Sequence, residues 1–67
     1  MAIYIDLDRL LKERGISSKE FAVMIQITEA NLSILKTGKA RAIRFSTLDE
    51  ICRQLNCQPG DIIKYKD

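Results

Sequence analysis

Residues Ser17 to Gly38 read SSKEFAVMIQITEANLSILKTG, a stretch that carries two helix start signals close together. Ser17 and Glu20 have the spacing of a capping box, in which each side chain hydrogen-bonds the other residue's backbone amide. Thr28 is the cap of a second helix. Because Gln26-Ile27 leaves room for only a few connecting residues, the helices must cross steeply and share a small core. The stretch therefore predicts a helix-turn-helix.

Helical spacing divides these two helices into an inner and an outer face. The inner face is apolar and predicts packing between the helices through Phe21, Ala22, Ile25, Leu32 and Leu35. The small alanine sits where the helices come closest, and a larger side chain there would hold them apart. The outer face of the second helix carries short or polar side chains that suit an approach to base edges: Glu29, Ala30, Ser33 and Lys36, with Thr28, Asn31 and Thr37 at its margins.

A basic stretch follows the second helix. No acidic residue occurs between Glu29 and Asp49, and the same interval contains Lys36, Lys39, Arg41 and Arg44. A solvated basic loop and a surface that meets phosphates both agree with this pattern. The formal net charge of +2 gives only weak support for a nucleic-acid partner. The distribution of charge is therefore more informative than its sum.

These features resemble the lambda-repressor/Cro-type helix-turn-helix family of transcriptional regulators, over nearly the whole chain. The matching residues are Ala22 at the close contact, the Leu32 and Leu35 pair, the Thr37-Gly38 stop and the ending Leu55-Asn56-Cys57-Gln58-Pro59-Gly60-Asp61-Ile62. One position departs, because the family usually has glycine in the turn where this chain has Gln26. That site tends to need a left-handed backbone, which costs a non-glycine residue about 1 kcal/mol.

The resemblance implies sequence-specific binding of double-stranded DNA, with a recognition helix at about residues 29–36 in the major groove. It implies base reading by Thr28, Glu29, Ala30, Asn31 and Ser33, and backbone contact near Ser18 and from Thr37 to Lys39. Position and charge predict phosphate contacts at Ser18, Lys19, Lys36, Thr37, Lys39, Arg41 and Arg44, and of these Lys36 lies at the border between bases and backbone. Because one helix reads few base pairs, we expect a homodimer on DNA, formed through the terminal strands or the final helix.

Further helices are predicted on both sides of the helix-turn-helix. Before it, Asp6 reads as the cap of a helix that has Leu7, Leu10 and Leu11 inside and Gly15 as its stop. After it, a loop anchored by Ile43 leads to a fourth helix over about residues 45–55, indicated by Phe45, Leu48, Ile51, Cys52 and Leu55. This helix starts at a Ser46 and Asp49 capping box or one or two residues earlier, and Asn56 or Cys57 ends it. Pro59 suits the first position of a brief last helix that reaches about Ile63.

Both ends of the chain, residues 2–5 and 62–65, are rich in β-branched and aromatic side chains and predict short strands. Paired within one chain, they close the domain. Left unpaired, each is an exposed edge that pairs between chains and makes a dimer. The expected fold is a single all-α domain over residues 1–67, a compact bundle of four to five short helices, with terminal β-strands where the ends pair.

Composition argues against catalysis, cofactors and metals. The chain has no histidine, and Cys52 and Cys57 cannot supply the four ligands of a structural zinc site. We expect a buried thiol at the first and a loop thiol at the second. There is no glycine-rich phosphate loop, and the apolar runs are too short to cross a membrane. A cytoplasmic protein is expected, with no enzymatic activity and no membrane or small-molecule partner.

A protein-interaction module on the same fold, antitoxin-like or antirepressor-like, is the alternative function. It predicts that the surface from Lys36 to Arg44 binds no duplex, and that the apolar ends, residues 3–5 and 62–65, contact the partner. Acidic residues in place of the basic ones would have favoured this alternative, but the stretch is basic.

Overall fold

The computed structural model describes residues 3–38 and 40–67. Short helices dominate the fold, and a short strand lies at each end. In chain order the elements are β1 (Ile3–Ile5), α1 (Leu7–Arg14), α2 (Ser18–Met24), α3 (Glu29–Lys36), α4 (Phe45–Leu55), α5 (Pro59–Ile62) and β2 (Ile63–Tyr65). The radius of gyration is 11.0 Å, close to the value of about 11 Å expected for a compact domain of this length. The predicted all-α bundle is confirmed.

The two strands pair with each other and close the domain. They run antiparallel, with Ile3 opposite Tyr65 and Ile5 opposite Ile63. The Asp6 amide donates to the Ile62 carbonyl at 2.6 Å and extends this link into α1. Of the two arrangements considered for the chain ends, the structure therefore has the pairing within one chain. Ala2, the first residue of the predicted strand, lies outside the described residues.

One hydrophobic core joins all the helices. Every helix buries at least one large side chain in it, among them Leu7, Phe21, Leu32, Ile51 and Ile62, all with 0% exposure. The predicted inner faces are confirmed, because the three leucines of α1 and the five residues shared by α2 and α3 are all buried. Burial of these apolar faces is the main stabilising term, since isolated helices this short are marginal in water.

The capping contacts at the start of two helices differ from the sequence prediction. Asp6 stands at the cap position of α1, but its carboxylate Oδ2 instead accepts from Arg9 Nε at 2.9 Å. The predicted capping box of α4 is also wrong: Arg44 occupies the cap position, so Ser46 lies inside the first turn. The earlier of the two predicted starts, one residue before Ser46, is the observed one.

Phe45 does not share the buried face of α4. The side chain is 87% exposed, whereas Leu48, Ile51 and Leu55 are buried. The apolar period that predicted this helix therefore begins one turn later than the sequence indicates. Phe45 is the first residue of α4, and its side chain lies outside the hydrophobic core that the rest of the helix contacts.

The two cysteines lie at the carboxyl end of α4. Asn56 ends the helix in a left-handed conformation, with φ of 50°, and the Cys57 amide donates to the Cys52 carbonyl at 3.1 Å. Among the described residues both cysteines are free thiols. Cys57 lies in the loop after α4, as predicted, whereas Cys52 is half-buried and not fully buried. Burial, with a smaller effect of neighbouring Cys52, raises the pKa of the Cys57 thiol. A raised pKa disfavours the reactive thiolate.

The turn between α2 and α3 holds Gln26 in a left-handed conformation, with φ of 59°. Replacing Gln26 with glycine is expected to raise the free energy of unfolding by up to about 1 kcal/mol, because glycine adopts the left-handed backbone without strain. The greater freedom of glycine in the unfolded chain offsets part of this gain. Urea denaturation measures the change.

The matched control is Gln54→Gly in α4, where the same substitution falls inside a helix. That variant should lose about 1 kcal/mol, since glycine is a poor helix former. Equal losses in both variants would show that Gln26 is unstrained.

Candidate nucleic-acid interface

Helix α2 and the turn after it position α3. Both halves of the predicted capping box are present: Ser17 Oγ accepts from the Glu20 amide at 3.1 Å, and the Ser17 amide donates to Glu20 Oε1 at 3.3 Å. The Ile27 amide then donates to the Ala22 carbonyl at 3.0 Å, which ties the turn back to α2. Ala22 is only 3% exposed, as expected for the closest approach of the two helices.

Helix α3 has the predicted start and stop. The Asn31 amide donates to Thr28 Oγ1 at 3.1 Å, which confirms Thr28 as the cap. At the other end, Thr37 Oγ1 donates to the Ser33 carbonyl at 2.9 Å, and Gly38 turns the chain with φ of 75°. These contacts are local, so they fix the length of α3 independently of what it binds.

The predicted base-reading residues form one solvent-exposed surface. Leu32 and Leu35 hold the inner side of α3 in the core. The exposed side chains on the other sides and at the cap are Thr28, Glu29, Ala30, Asn31 and Ser33. None of these five is large, so the helix backbone could approach a base-pair edge closely.

An open groove lies between α3 and the loop that follows it. Its lining includes Asn31, predicted at the margin of the base-reading surface, together with Arg41 and Arg44, predicted to contact phosphates. Ile34, 46% exposed, and Thr47 line the same groove. The sequence interpretation left out these two residues, although Ile34 lies three positions after Asn31 and so on the same side of the helix.

Lys36 and Ser18 contact each other rather than standing free. Lys36 Nζ donates to Ser18 Oγ and lies 3.3 Å from Asp8 Oδ1 in α1. Lys12 Nζ lies 3.1 Å from the other oxygen of Asp8. Hydrogen bonds from Lys12 and from Lys36 lower the pKa of the Asp8 carboxyl, which favours its charged form. Lys36 is therefore turned towards α1 and α2, away from the outer surface on which it was expected.

This geometry agrees with the family match of the sequence. Residues 6–67 match the family model described as the Cro/C1-type HTH DNA-binding domain. The chain belongs to this Cro/C1-type helix-turn-helix family. The family consists of DNA-binding domains of transcriptional regulators and is not an enzyme family.

One relative supports this family assignment, and one solved structure supports the fold. The chain is 56% identical over 66 residues to the uncharacterized HTH-type transcriptional regulator YozG of Bacillus subtilis strain 168, covering 98% of this chain and 79% of that protein. The crystal structure of the transcriptional regulator VanUg superposes with a TM-score of 0.76, covering 98% of this chain and 89% of that one. At 23% identity, this second likeness supports the fold alone.

The residues predicted to contact phosphate lie on several elements of the fold. Lys19 is exposed at the start of α2, Thr37 at the end of α3, and Arg41 and Arg44 in the following loop. Lys39, also predicted to contact phosphate, lies outside the described residues. The contacts of all these residues with DNA stay predictions.

In residues 3–38 and 40–67, no three histidine, cysteine, aspartate or glutamate side chains are grouped to hold a metal ion. No helix in this part of the chain is both long and apolar enough to span a bilayer.

Proposed function

We propose that this regulator binds double-stranded DNA sequence-specifically by placing α3 in the major groove. The observation that carries the proposal is the exposed surface of Glu29, Ala30 and Ser33, held outward by two buried leucines and bordered by the arginine-lined groove. A helix presenting short side chains fits the width of the major groove, where each base pair offers a distinct set of donors and acceptors.

Each side chain on this surface suits a different kind of base contact. The Glu29 carboxylate suits a cytosine amino group, and the repulsion it meets from phosphates makes it a discriminating residue more than an attracting one. The Ala30 methyl suits a thymine methyl group, and the Ser33 hydroxyl suits several base edges. Thr28 and Asn31 would read bases at the margins. The proposed phosphate contacts are Ser18, Lys19, Thr37, Lys39, Arg41 and Arg44, which fix the register of α3 without reading sequence.

We also infer a homodimer on DNA. One recognition helix contacts only a few base pairs, and two copies bound to half-sites one helical turn apart gain affinity from both. The terminal strands pair within the chain along one edge each, so an interface there would use their outer edges or the exposed side of the sheet, where Ile3 is 54% and Tyr65 67% exposed. The proposal places the protein in the cytoplasm with its DNA, as expected from the sequence.

Selection from a pool of randomised duplexes, followed by fluorescence anisotropy on the selected sequence, tests this function. We expect two similar half-sites about 10 base pairs apart, and two chains per duplex by analytical ultracentrifugation. The Glu29→Ala variant should lose about 1–3 kcal/mol of discrimination at a single base pair of each half-site. In the wild type the carboxylate accepts a hydrogen bond from the correct base and is left unpaired at a wrong one, and alanine removes this difference.

The control variant is Glu13→Ala, an exposed carboxylate on α1. It should leave the base preference unchanged. If the selection enriches no sequence and the protein binds all duplexes equally, specific recognition is wrong. If the wild type binds no duplex even at low salt, the protein-interaction module becomes the better reading, and partners would be sought at the terminal sheet.

A further inference from the structure

A small polar cluster joins three helices beneath the proposed DNA surface. Asp8 lies on α1, Ser18 begins α2 and Lys36 ends α3. The Lys36 ammonium donates to the Ser18 hydroxyl and lies 3.3 Å from Asp8 Oδ1, and the side chain is 24% exposed. The other carboxylate oxygen of Asp8, Oδ2, lies 3.1 Å from Lys12 Nζ. One lysine of the recognition helix is thus held by both of the preceding helices.

The hydrogen-bonding capacity of these groups limits what each can do next. A lysine ammonium has three donors, and Ser18 and Asp8 engage two of those on Lys36. A hydroxyl that accepts a hydrogen bond still carries its own hydrogen as a donor. Ser18 can therefore take the bond from Lys36 and give one to a phosphate oxygen at the same time. The positive charge of Lys36, in contrast, already faces the Asp8 carboxylate.

We propose that Lys36 is a positioning residue for the DNA contact rather than a phosphate ligand. It holds the Ser18 hydroxyl as a donor to a phosphate oxygen, and through Asp8 it fixes the end of α3 against α1. This inference rests on the proposed function and revises the phosphate role that charge alone predicted for Lys36. If the inference holds, Lys36 and Ser18 contribute a single shared phosphate contact to the DNA affinity. Two independent phosphate contacts would instead make additive contributions.

Salt-dependent DNA binding separates the two roles. The duplex is the selected sequence, and the proteins are the wild type, Lys36→Met, Ser18→Ala, the double variant and Lys36→Arg. Each single variant should bind about tenfold more weakly, the loss expected for one hydrogen bond to a charged group. The double variant should bind no more weakly than either single variant, because the two residues form one unit. Lys36→Arg keeps donors for both partners and should recover most of the affinity.

The slope of log affinity against log salt separates a positioning lysine from a lysine bound to phosphate. The shared loss in the double variant is the result that a merely structural lysine would not give. A lysine bound to phosphate contributes about 0.9 to this slope. Lys36→Met should therefore keep the wild-type slope, whereas the matched control Lys19→Met, which removes an exposed neighbour of Ser18, should lower it by about 0.9. A slope lowered by about 0.9 in Lys36→Met, or additive losses in the double variant, would overturn the inference.

Failure of this inference and failure of the proposed function are distinguishable. A wild type that binds no duplex overturns both. A wild type that binds with a steep salt dependence, together with a lowered slope in Lys36→Met, overturns only the positioning role. Circular dichroism checks the fold of each variant, and Ser18→Ala, which removes a single partly exposed oxygen, carries the test if Lys36→Met fails to fold.

Discussion

The double substitution Arg41→Glu/Arg44→Glu is expected to reduce DNA affinity at least about a hundredfold at low salt, since two charge-assisted hydrogen bonds to phosphate are lost. Both arginines are exposed and line the groove beside α3. Each neutralised phosphate contributes about 0.9 to the salt slope, so the slope should fall by about 1.8. Fluorescence anisotropy across a salt series measures both quantities.

The control for this variant is Arg53→Glu together with Lys66→Glu. It changes the formal charge by the same amount on α4 and after β2, outside the lining of that groove. Arg53 is 66% exposed in its ion pair with Glu50, so the loss of this pair should have little effect on stability. We expect a much smaller loss of affinity, because charges further from the DNA than the screening length of about 8–10 Å contribute little. Equal losses in the two double variants would show that bulk charge, and not this surface, drives binding.

Phe21→Ala is expected to remove a large part of the stability of the domain. The ring is completely buried between the helices of the helix-turn-helix and the rest of the core. Truncating a buried phenylalanine to alanine costs about 3–5 kcal/mol. The whole domain is expected to have about 3–10 kcal/mol of stability at this length. Urea denaturation followed by far-ultraviolet circular dichroism measures the loss.

Val23→Ala, two positions along the same helix, is the matched control. Its side chain is 74% exposed, so truncation removes few contacts and should change the free energy of unfolding by less than about 0.5 kcal/mol. A similar loss in both variants would contradict the packing described for α2. If Phe21→Ala keeps its fold but loses DNA binding, the ring fixes the angle of α3 more than it stabilises the domain.

The local signals in the sequence were enough to define most of the secondary structure. Ser17 with Glu20, Thr28 and Pro59 each begin a helix where predicted, and Gly15 and Asn56 end one. Each signal works through hydrogen bonds or backbone preferences within about five residues, so the neighbouring sequence contains all that is needed. The family resemblance rested on the same features and is confirmed by the match over residues 6–67.

Helix starts and faces were less predictable where a competing partner was available. The Asp6 carboxylate accepts a hydrogen bond from Arg9, one turn along the helix, instead of capping α1. Ser46 lies inside α4, which begins at Phe45. A single sequence does not rank such alternatives, because their free energies differ by only about 1 kcal/mol. Phe45 was assigned to a helical apolar repeat, but the buried face of α4 does not extend back to this first residue of the helix.

The sequence by itself determined where the helices lie, which of their faces is buried and which side of α3 is exposed, because these follow from local spacing. Only the tertiary structure decided that Lys36 turns towards Asp8 and Ser18, and that Asn31, Arg41 and Arg44 share one groove. Those contacts join residues far apart in the chain. They depend on the angles at which α1, α2 and α3 cross, and those angles are set by packing of the whole core at once.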